Sequence, residues 1–287
     1  MVAARHHLAI GLHESGKTTF LAALWHVLIS NEIPTALRLH KLDGDRTHLN
    51  KLRDAWLRCE PVPRTSGKAE QHVRMLLSDA ANHVDEVWFP DLSGEALRDQ
   101  WEQRRWPLAY EKIVDDAESI LLFVHPDRVV EPLPIVAVAA VAAGVPPPAG
   151  APQPKSQPAK PTPWDAKQAP TQVQLVDLLQ LLRWRTPQRN WGLSVVISAW
   201  DVARNLGQSP SEWCAKRLPL LNQYLRANTG RFRLRYYGVS ALGGELPGDA
   251  ERLRALPKAS SRIEVVREGQ PVTNDLTVIL HDLAGGA

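Results

Sequence analysis

Apolar runs and stretches of helical periodicity alternate along the chain, and this alternation predicts its secondary structure. Residues 5–12 end in a short apolar run of the kind that forms a buried strand. Residues 17–30 then place apolar side chains at helical spacing, and a glycine-rich turn lies between the two segments. The chain therefore begins with a predicted strand, loop and helix.

The same alternation continues to the end of the chain. Further strands are predicted at residues 71–78, 84–89, 118–125, 193–198 and 233–239, and the first two are close enough to form a hairpin. One helix is predicted around Leu49, Leu52, Trp56 and Leu57, which form its apolar side. Further helices are predicted at residues 95–115 (interrupted near Pro107), 171–184, 211–228 and 274–284. Six strands that alternate with helices predict a three-layer α/β fold, whose mostly parallel sheet contains one antiparallel strand.

The composition changes between Pro132 and Pro170, where 11 of 39 residues are proline and 10 are alanine. Such a segment offers too few large apolar side chains for a core of its own and is typical of an extended linker. We expect one α/β domain in two parts, residues 1–130 and 171–287, separated by a Pro/Ala-rich insertion at 131–170.

The overall composition is that of a globular protein, with 44% hydrophobic and 23% charged residues. A net charge of +3 gives no electrostatic reason to expect direct nucleic-acid binding. The longest apolar run, at residues 135–145, is shorter than the ~20 residues that span a bilayer. No secretory leader precedes the first predicted strand, so we expect a cytoplasmic protein without a membrane span.

The turn between the first strand and the first helix carries the strongest chemical signal. Residues 11–18 read GLHESGKT and match the phosphate-loop pattern G-x-x-x-x-G-K-[ST] in full. The glycines let N–H groups point inward, and the following helix start favours an anion. Lys17 is expected to reach the β- and γ-phosphates and Thr18 to hold Mg²⁺. The expected nucleotide-binding residues here are Gly11, His13, Glu14, Ser15, Gly16, Lys17, Thr18 and Thr19.

Two further motifs surround the predicted hairpin. The strand at 84–89 runs into Asp91 and Gly94, which form a D-x-x-G pattern at the end of an apolar strand. Thr65 lies in the loop before the hairpin and is the candidate switch threonine. Two rival threonines, Thr35 and Thr47, lie farther from the hairpin.

The last two predicted strands end in residues suited to base recognition. The strand at 193–198 leads to Asp201, whose carboxylate can accept hydrogen bonds from guanine N1–H and N2–H₂, which adenine lacks. The strand at 233–239 leads to Ser240 and Ala241. Together these residues favour GTP over ATP. An ATP-using phosphate-loop enzyme, in which Asp201 plays no part at the base, is the alternative.

These motifs, in this order, resemble those of Ras-like P-loop GTPases of the TRAFAC class. The resemblance covers residues 5–125 and 171–284 and implies a Ras-like G domain, with the phosphate loop and switches in its first part and the guanine-recognition loops in its second. The segments PRT, DLSGE and SAWD are most similar to bacterial double-GTPase family proteins, which are associated with conflict systems directed against invaders such as phage.

The resemblance implies GTP and GDP as ligands, with Mg²⁺ held by Thr18, Thr65 and Asp91. The backbone N–H of Gly94 would then sense the γ-phosphate. It also implies that the protein acts on effector or system partner proteins, in an antiviral role.

One position departs from the family pattern. Ala199 stands where these GTPases carry a lysine that packs along the base and the phosphate loop, which leaves Trp200 as a candidate to cover the base. By the same resemblance, Ser240 and Ala241 belong to the loop whose backbone N–H meets guanine O6.

Hydrolysis is expected to depend on Arg64, Glu95 and Lys17. Glu95 stands where Ras-like enzymes carry a water-orienting Gln; it can accept from water but cannot donate to the γ-phosphate, and it serves equally well as an acidic residue at a helix start. Arg64 is placed like an internal arginine finger or, equally, like a solvated arginine paired with Glu14. His13 crowds the γ-phosphate side. We expect slow hydrolysis without a partner, and a non-hydrolysing interaction module is the second alternative.

Arg64→Ala should lower single-turnover GTP hydrolysis on the order of a thousandfold while GTP affinity changes little, because an arginine finger acts mainly in the transition state.

Glu95→Gln should hydrolyse at least as fast as the wild type, since an amide both donates and accepts. Glu95→Ala is the matched control: unchanged turnover assigns Glu95 to the helix start. A fall in Glu95→Gln as deep as that in Glu95→Ala would show that the carboxylate itself is required.

Overall fold

The structure, a computed structural model, describes residues 4–62, 73–90, 101–102, 108–132 and 168–284. Several predicted residues lie outside these ranges, so their roles stay predictions. They are Arg64, Thr65, Asp91, Gly94 and Glu95, together with residues 133–167 of the predicted insertion.

Strands and helices alternate through the described ranges, as the sequence pattern predicts. The strands are β1 (Arg5–Gly11), β2 (Arg38–Asp43), β3 (Val73–Ser78), β4 (Val84–Phe89), β5 (Ser119–Val124), β6 (Trp191–Ser198), β7 (Phe232–Ser240) and β8 (Glu264–Arg267). The helices are α1 (Lys17–Ser30), α2 (Arg46–Leu57), α3 (Leu108–Asp116), α4 (Thr171–Arg185), α5 (Trp200–Ala203), α6 (Pro210–Arg217), α7 (Pro219–Ala227), α8 (Ala250–Arg254) and α9 (Thr277–Ala284).

The described strands form one sheet in the order β2-β3-β4-β1-β5-β6-β7-β8. Its six inner strands are the six predicted ones, and β3 is antiparallel to β4 while β4, β1, β5, β6 and β7 run parallel. The predicted three-layer α/β class is confirmed. Two details are corrected: the described residues form eight strands, and β8, antiparallel to β7, is a second antiparallel strand besides β3. Sequence reading missed the edge strands β2 and β8 because they are short and carry many charged residues, as exposed sheet edges do.

Helices cover both faces of the sheet and enclose two hydrophobic cores. One core lies against α1, α2 and α9, and the other against α3, α4, α6 and α7. Every residue of β5 and β6 is buried, as expected for central strands of a parallel sheet. Each large apolar side chain buried in this way contributes about 1.5–3 kcal/mol to stability.

The single helix predicted at 211–228 is wrong: the structure has α6 and α7 there, with Leu218 between them. Pro219 has no N–H to continue the helical ladder, so the first helix ends before it. The start of α6 is fixed by a capping box between Ser209 and Glu212.

The two parts of the chain on either side of the Pro/Ala-rich insertion contribute neighbouring strands to the sheet, because β5 pairs with β6. The ends of the intervening segment meet: Val130 N donates to Thr171 Oγ1 (2.8 Å), and Thr171 N donates to Val130 O (3.0 Å). The division at 130 and 171 stays a prediction. Across the ranges that the structure describes, no helix has the length and apolar character needed to traverse a bilayer.

The parallel strands β1, β5, β6 and β7 all point their carboxyl ends at one edge of the sheet, where the predicted site residues follow them. Beside this edge, the Trp200 indole packs directly on Gly238 of β7. A Cβ at Gly238 would lie 2.6 Å from Trp200 Cγ, so only glycine leaves room for the indole. This contact fixes the position of Trp200, the residue directly before Asp201 in the chain.

Gly238→Ala should therefore lower the free energy of unfolding by about 1–3 kcal/mol, because an added methyl group overpacks the core against Trp200. It should also weaken guanine-nucleotide binding by displacing α5. Thermal unfolding and calorimetry check both effects. Gly230→Ala is the matched control, since a Cβ at Gly230 meets no atom within 4 Å. Equal stability of the two variants would contradict the prediction.

Candidate nucleotide-binding site

The loop between β1 and α1 has glycine at two positions where a side chain would not fit. Gly16 has a left-handed φ of 88°, and a Cβ there would lie 2.6 Å from Ser198 Oγ. A Cβ at Gly11 would lie 2.6 Å from the carbonyl oxygen of Phe123. Both glycines of the phosphate-loop pattern are thus required by close approach of the neighbouring strands β5 and β6.

Lys17 folds back onto this loop. Its Nζ donates to the carbonyl oxygens of Gly11 (2.6 Å) and Leu12 (3.0 Å) and to Ser15 Oγ (3.0 Å). The ammonium is therefore held against the loop that the sequence predicts to bind phosphate. Gly16 N-caps α1 and no side chain caps the helix, so the helix start is presented to a ligand.

The neighbouring residues of the loop differ in their surroundings. Ser15 is buried, and its carbonyl accepts a hydrogen bond from Ser198 Oγ (2.8 Å). His13 is exposed, with its side chain 3.7 Å from Glu14. Thr18 and Thr19 lie in the first turn of α1, and Thr19 reaches the adjoining cavity.

A cavity of about 280 Å³ opens beside the loop at the carboxyl edge of the sheet. Four segments line it: the start of α1, the turn after β5, the end of β6 with α5, and the loop after β7. The lining residues are Gly16, Thr19, Phe20, His125, Asp127, Arg128, Ser198, Ala199, Asp201, Val202, Val239, Ala241, Leu242, Gly244 and Glu245. Gly16 of the predicted phosphate loop therefore lines the same cavity as the predicted base-recognition residues Ala199, Asp201 and Ala241.

Asp201 is held in this cavity by the loop after β7. Ser240 Oγ donates to Asp201 Oδ1 (2.5 Å) and accepts from Gly243 N (3.1 Å). The hydrogen bonds fix the carboxylate orientation before any ligand arrives, which favours selective recognition of donor groups on a base. Sequence reading predicted both residues but not their contact.

Ala199 and Trp200 occupy different layers. Ala199 has a left-handed φ of 45° and lines the cavity. Trp200 is only 2% exposed and packs in the hydrophobic core. The hypothesis that Trp200 covers the base is therefore wrong, because the space above Gly238 takes the indole instead.

The turn after β5 adds cavity residues that sequence reading missed. The 3₁₀ turn Pro126–Arg128 begins where β5 ends, and Arg128 Nε lies 3.1 Å from Glu14 Oε2 of the phosphate loop. His125 Nδ1 accepts from Asp127 N (3.2 Å) and caps the turn. Burial lowers the pKa of His125, which keeps the imidazole neutral and able to accept this bond. The only sequence signal was a His-Pro-Asp-Arg run at the end of a buried strand.

A second layer supports the loop after β7. Trp56 Nε1 donates to the carbonyl oxygen of Ala241 (2.8 Å), and Arg262 donates to the carbonyl oxygens of Trp56 (3.0 Å) and Leu253 (3.1 Å). The Arg262 guanidinium also lies 5.1 Å from the Trp56 ring centroid. The helix α2 thereby anchors the loop after β7, which begins with the predicted base-recognition residue Ala241.

Comparison with known proteins places these features in context. The model of the family Double-GTPase 1 matches residues 8–283. The signal recognition particle receptor SRb-GTP/SRX complex from Chaetomium thermophilum is similar in structure, with a TM-score of 0.40 and 14% identity over 88% of this chain and 97% of that chain. A nucleolar GTP-binding protein 1 from Plasmodium falciparum gives a TM-score of 0.39 and 10% identity over 88% and 84% of the two chains.

No curated protein matches the chain in sequence. The TM-scores of the two solved structures are too low to bear on function. The family match, by contrast, runs from β1 to α9 and spans the whole described site.

Asp201→Asn should reverse base preference, because the amide keeps the oxygen that accepts from Ser240 but opposes guanine N2–H₂ with a donor. We expect GTP affinity to fall by about 1–3 kcal/mol and xanthosine triphosphate, which has an acceptor at C2, to bind better. Competition calorimetry with GTP, ATP and xanthosine triphosphate measures both. Asp127→Asn makes the same chemical change in the same cavity and should keep the wild-type preference. Equal wild-type binding of ATP and GTP would contradict guanine recognition.

Proposed function

The chain belongs to the Double-GTPase 1 family, and on that premise we propose that it is a GTP-binding, Mg²⁺-dependent, GTP-hydrolysing switch that acts through partner proteins. The observation that carries the proposal is that the phosphate loop, through Gly16, and Asp201 adjoin one cavity. The Lys17 loop suits a polyphosphate, and the Asp201 carboxylate, fixed by Ser240, suits guanine.

Several features support binding of a triphosphate by the phosphate loop. Lys17 is the cation that would meet the β- and γ-phosphates, and the first turn of α1 adds N–H groups and the dipole of a helix start. The close approach of Gly11 and Gly16 to neighbouring strands fits a loop shaped around a ligand. Bound Mg²⁺ would neutralise phosphate charge, and Thr18, Thr65 and Asp91 would hold it.

For hydrolysis, we propose Arg64 as the residue that neutralises charge in the transition state and Glu95 as the residue nearest the attacking water. An internal arginine finger accounts for ~10³–10⁵ of the rate in related GTPases. A carboxylate next to a departing phosphate is a poor substitute for an amide, since it brings negative charge towards a polyanion. With Arg64 and Glu95 in these roles, we expect the protein to hydrolyse GTP slowly alone and faster with a partner protein.

The partner proteins and the biological setting rest on the family. We propose a cytoplasmic role in a bacterial system directed against invaders, with the nucleotide state read by effector or system partners. Trp184 of α4 supports a partner surface, because 79% of this large apolar residue is exposed and tryptophan is enriched at binding hot spots.

Lys17→Ala should weaken binding of GTP and of a non-hydrolysable analogue on the order of a hundredfold, because charge-assisted contacts to the phosphates are lost. Calorimetry with both ligands measures the change. Lys216→Ala, an exposed lysine of α6 outside the cavity, is the matched control and should bind like the wild type. Unchanged affinity of Lys17→Ala for both ligands would rule out the phosphate-loop assignment.

A further inference from the structure

We propose that Arg128 replaces the lysine that the site lacks at Ala199, by connecting the phosphate loop with the nucleoside end of the cavity. The inference rests on the proposed function, since it concerns how guanine nucleotides are held. It assigns nucleotide binding to a residue that lies in none of the recognised sequence motifs.

Ala199 leaves one wall of the cavity without a long side chain. Its methyl group lines the cavity directly after β6, and its left-handed backbone turns the chain so that Trp200 enters the core and Asp201 faces the ligand space. Neither Ala199 nor Trp200 can reach from the base to the phosphate loop. Another residue has to supply this contact if the site is to join its two ends.

Arg128 lies where such a contact can be made. The turn that carries it follows β5, and β5 pairs with β1 on one side and with β6 on the other. The turn therefore lies between the phosphate loop, which follows β1, and Ala199, which follows β6. Arg128 lines the same cavity as Ala199 and Asp201.

The ion pair with Glu14 places the Arg128 side chain beside the phosphate loop. Its Nε lies 3.1 Å from Glu14 Oε2, and the two side chains are 59% and 29% exposed. Glu14 is itself in the left-handed region, with a φ of 57°, so its direction is set by the loop. A carboxylate so close to a polyphosphate site is unfavourable alone, and Arg128 offsets its charge while the guanidinium plane remains available to stack on a planar base.

The turn is stiffened in a way that suits a fixed contact. Pro126 sets its own backbone φ, and the His125 imidazole accepts from the Asp127 N–H at the start of the turn. Holding Arg128 on a rigid turn lowers the entropy lost when it contacts a ligand.

The experiment measures GDP and GTP affinity of the full chain by calorimetry in four variants. Arg128→Ala should weaken both ligands to the same extent, on the order of tenfold to a hundredfold, because the contact does not involve the γ-phosphate. Arg204→Ala is the matched control: its guanidinium pairs with Glu264 near α5 and lies outside the cavity, so wild-type affinity is expected.

The third variant tests replacement directly. Arg128→Ala combined with Ala199→Lys should recover most of the lost affinity, since a lysine at position 199 restores the missing contact and adds no new Cβ to the left-handed backbone. Failure of this rescue, with the variant folded by its melting temperature, would overturn the proposed equivalence.

The fourth variant separates contact from charge. If Arg128 only neutralised Glu14, Arg128→Ala combined with Glu14→Gln would bind like the wild type, and that result would overturn the inference. We expect the double variant to stay weak. Wild-type protein that binds no guanine nucleotide would overturn the proposed function and this inference with it, whereas wild-type binding with an unaffected Arg128→Ala would overturn the inference alone.

Discussion

The Ser198 hydroxyl donates a hydrogen bond to the carbonyl oxygen of Ser15 (2.8 Å), and this bond fixes the phosphate loop against the strand that leads to Asp201. The same hydroxyl lies against the Cα of Gly16, where a larger residue would not fit. The spacing between the predicted phosphate loop and the predicted base-recognition residues is therefore set inside the protein, before a ligand is present. The shape of the site depends on the pairing of β1, β5 and β6 that brings these residues together.

The four residues from Ser198 to Asp201 make four different contacts: three of them line the cavity, and Trp200 packs in the core. Ser198 donates a hydrogen bond to the phosphate loop, and Ala199 lines the cavity. Trp200 is buried in the core, and Asp201 accepts a hydrogen bond from Ser240. The left-handed backbone at Ala199 makes this divergence possible within one turn. Core packing is thereby coupled to the position of Asp201, so that a change in the core near Trp200 would reach the predicted base-recognition residues.

Local signals predicted much of the fold and of the site. The helix at 17–30 and the strand at 84–89 were predicted with their observed bounds, because periodicity and a flanking turn define them. Asp201 and Ser240 were predicted as site residues because they lie at or just beyond the ends of apolar strands, and the structure brings them into contact. The pairs Arg128–Glu14 and Trp56–Ala241 were not found, since each joins residues far apart in sequence that only the sheet order brings into contact.

The two hydrogen bonds between Val130 and Thr171 bear on how the number of residues between them can vary. They hold the ends of the intervening segment at neighbouring positions. For a segment whose ends are pinned in this way, the entropy of loop closure grows only with the logarithm of its length, and each doubling costs about 0.6 kcal/mol. Changes in the length of the chain between these two residues should thus cost little stability, while the sheet, and with it the geometry of the cavity, stays the same.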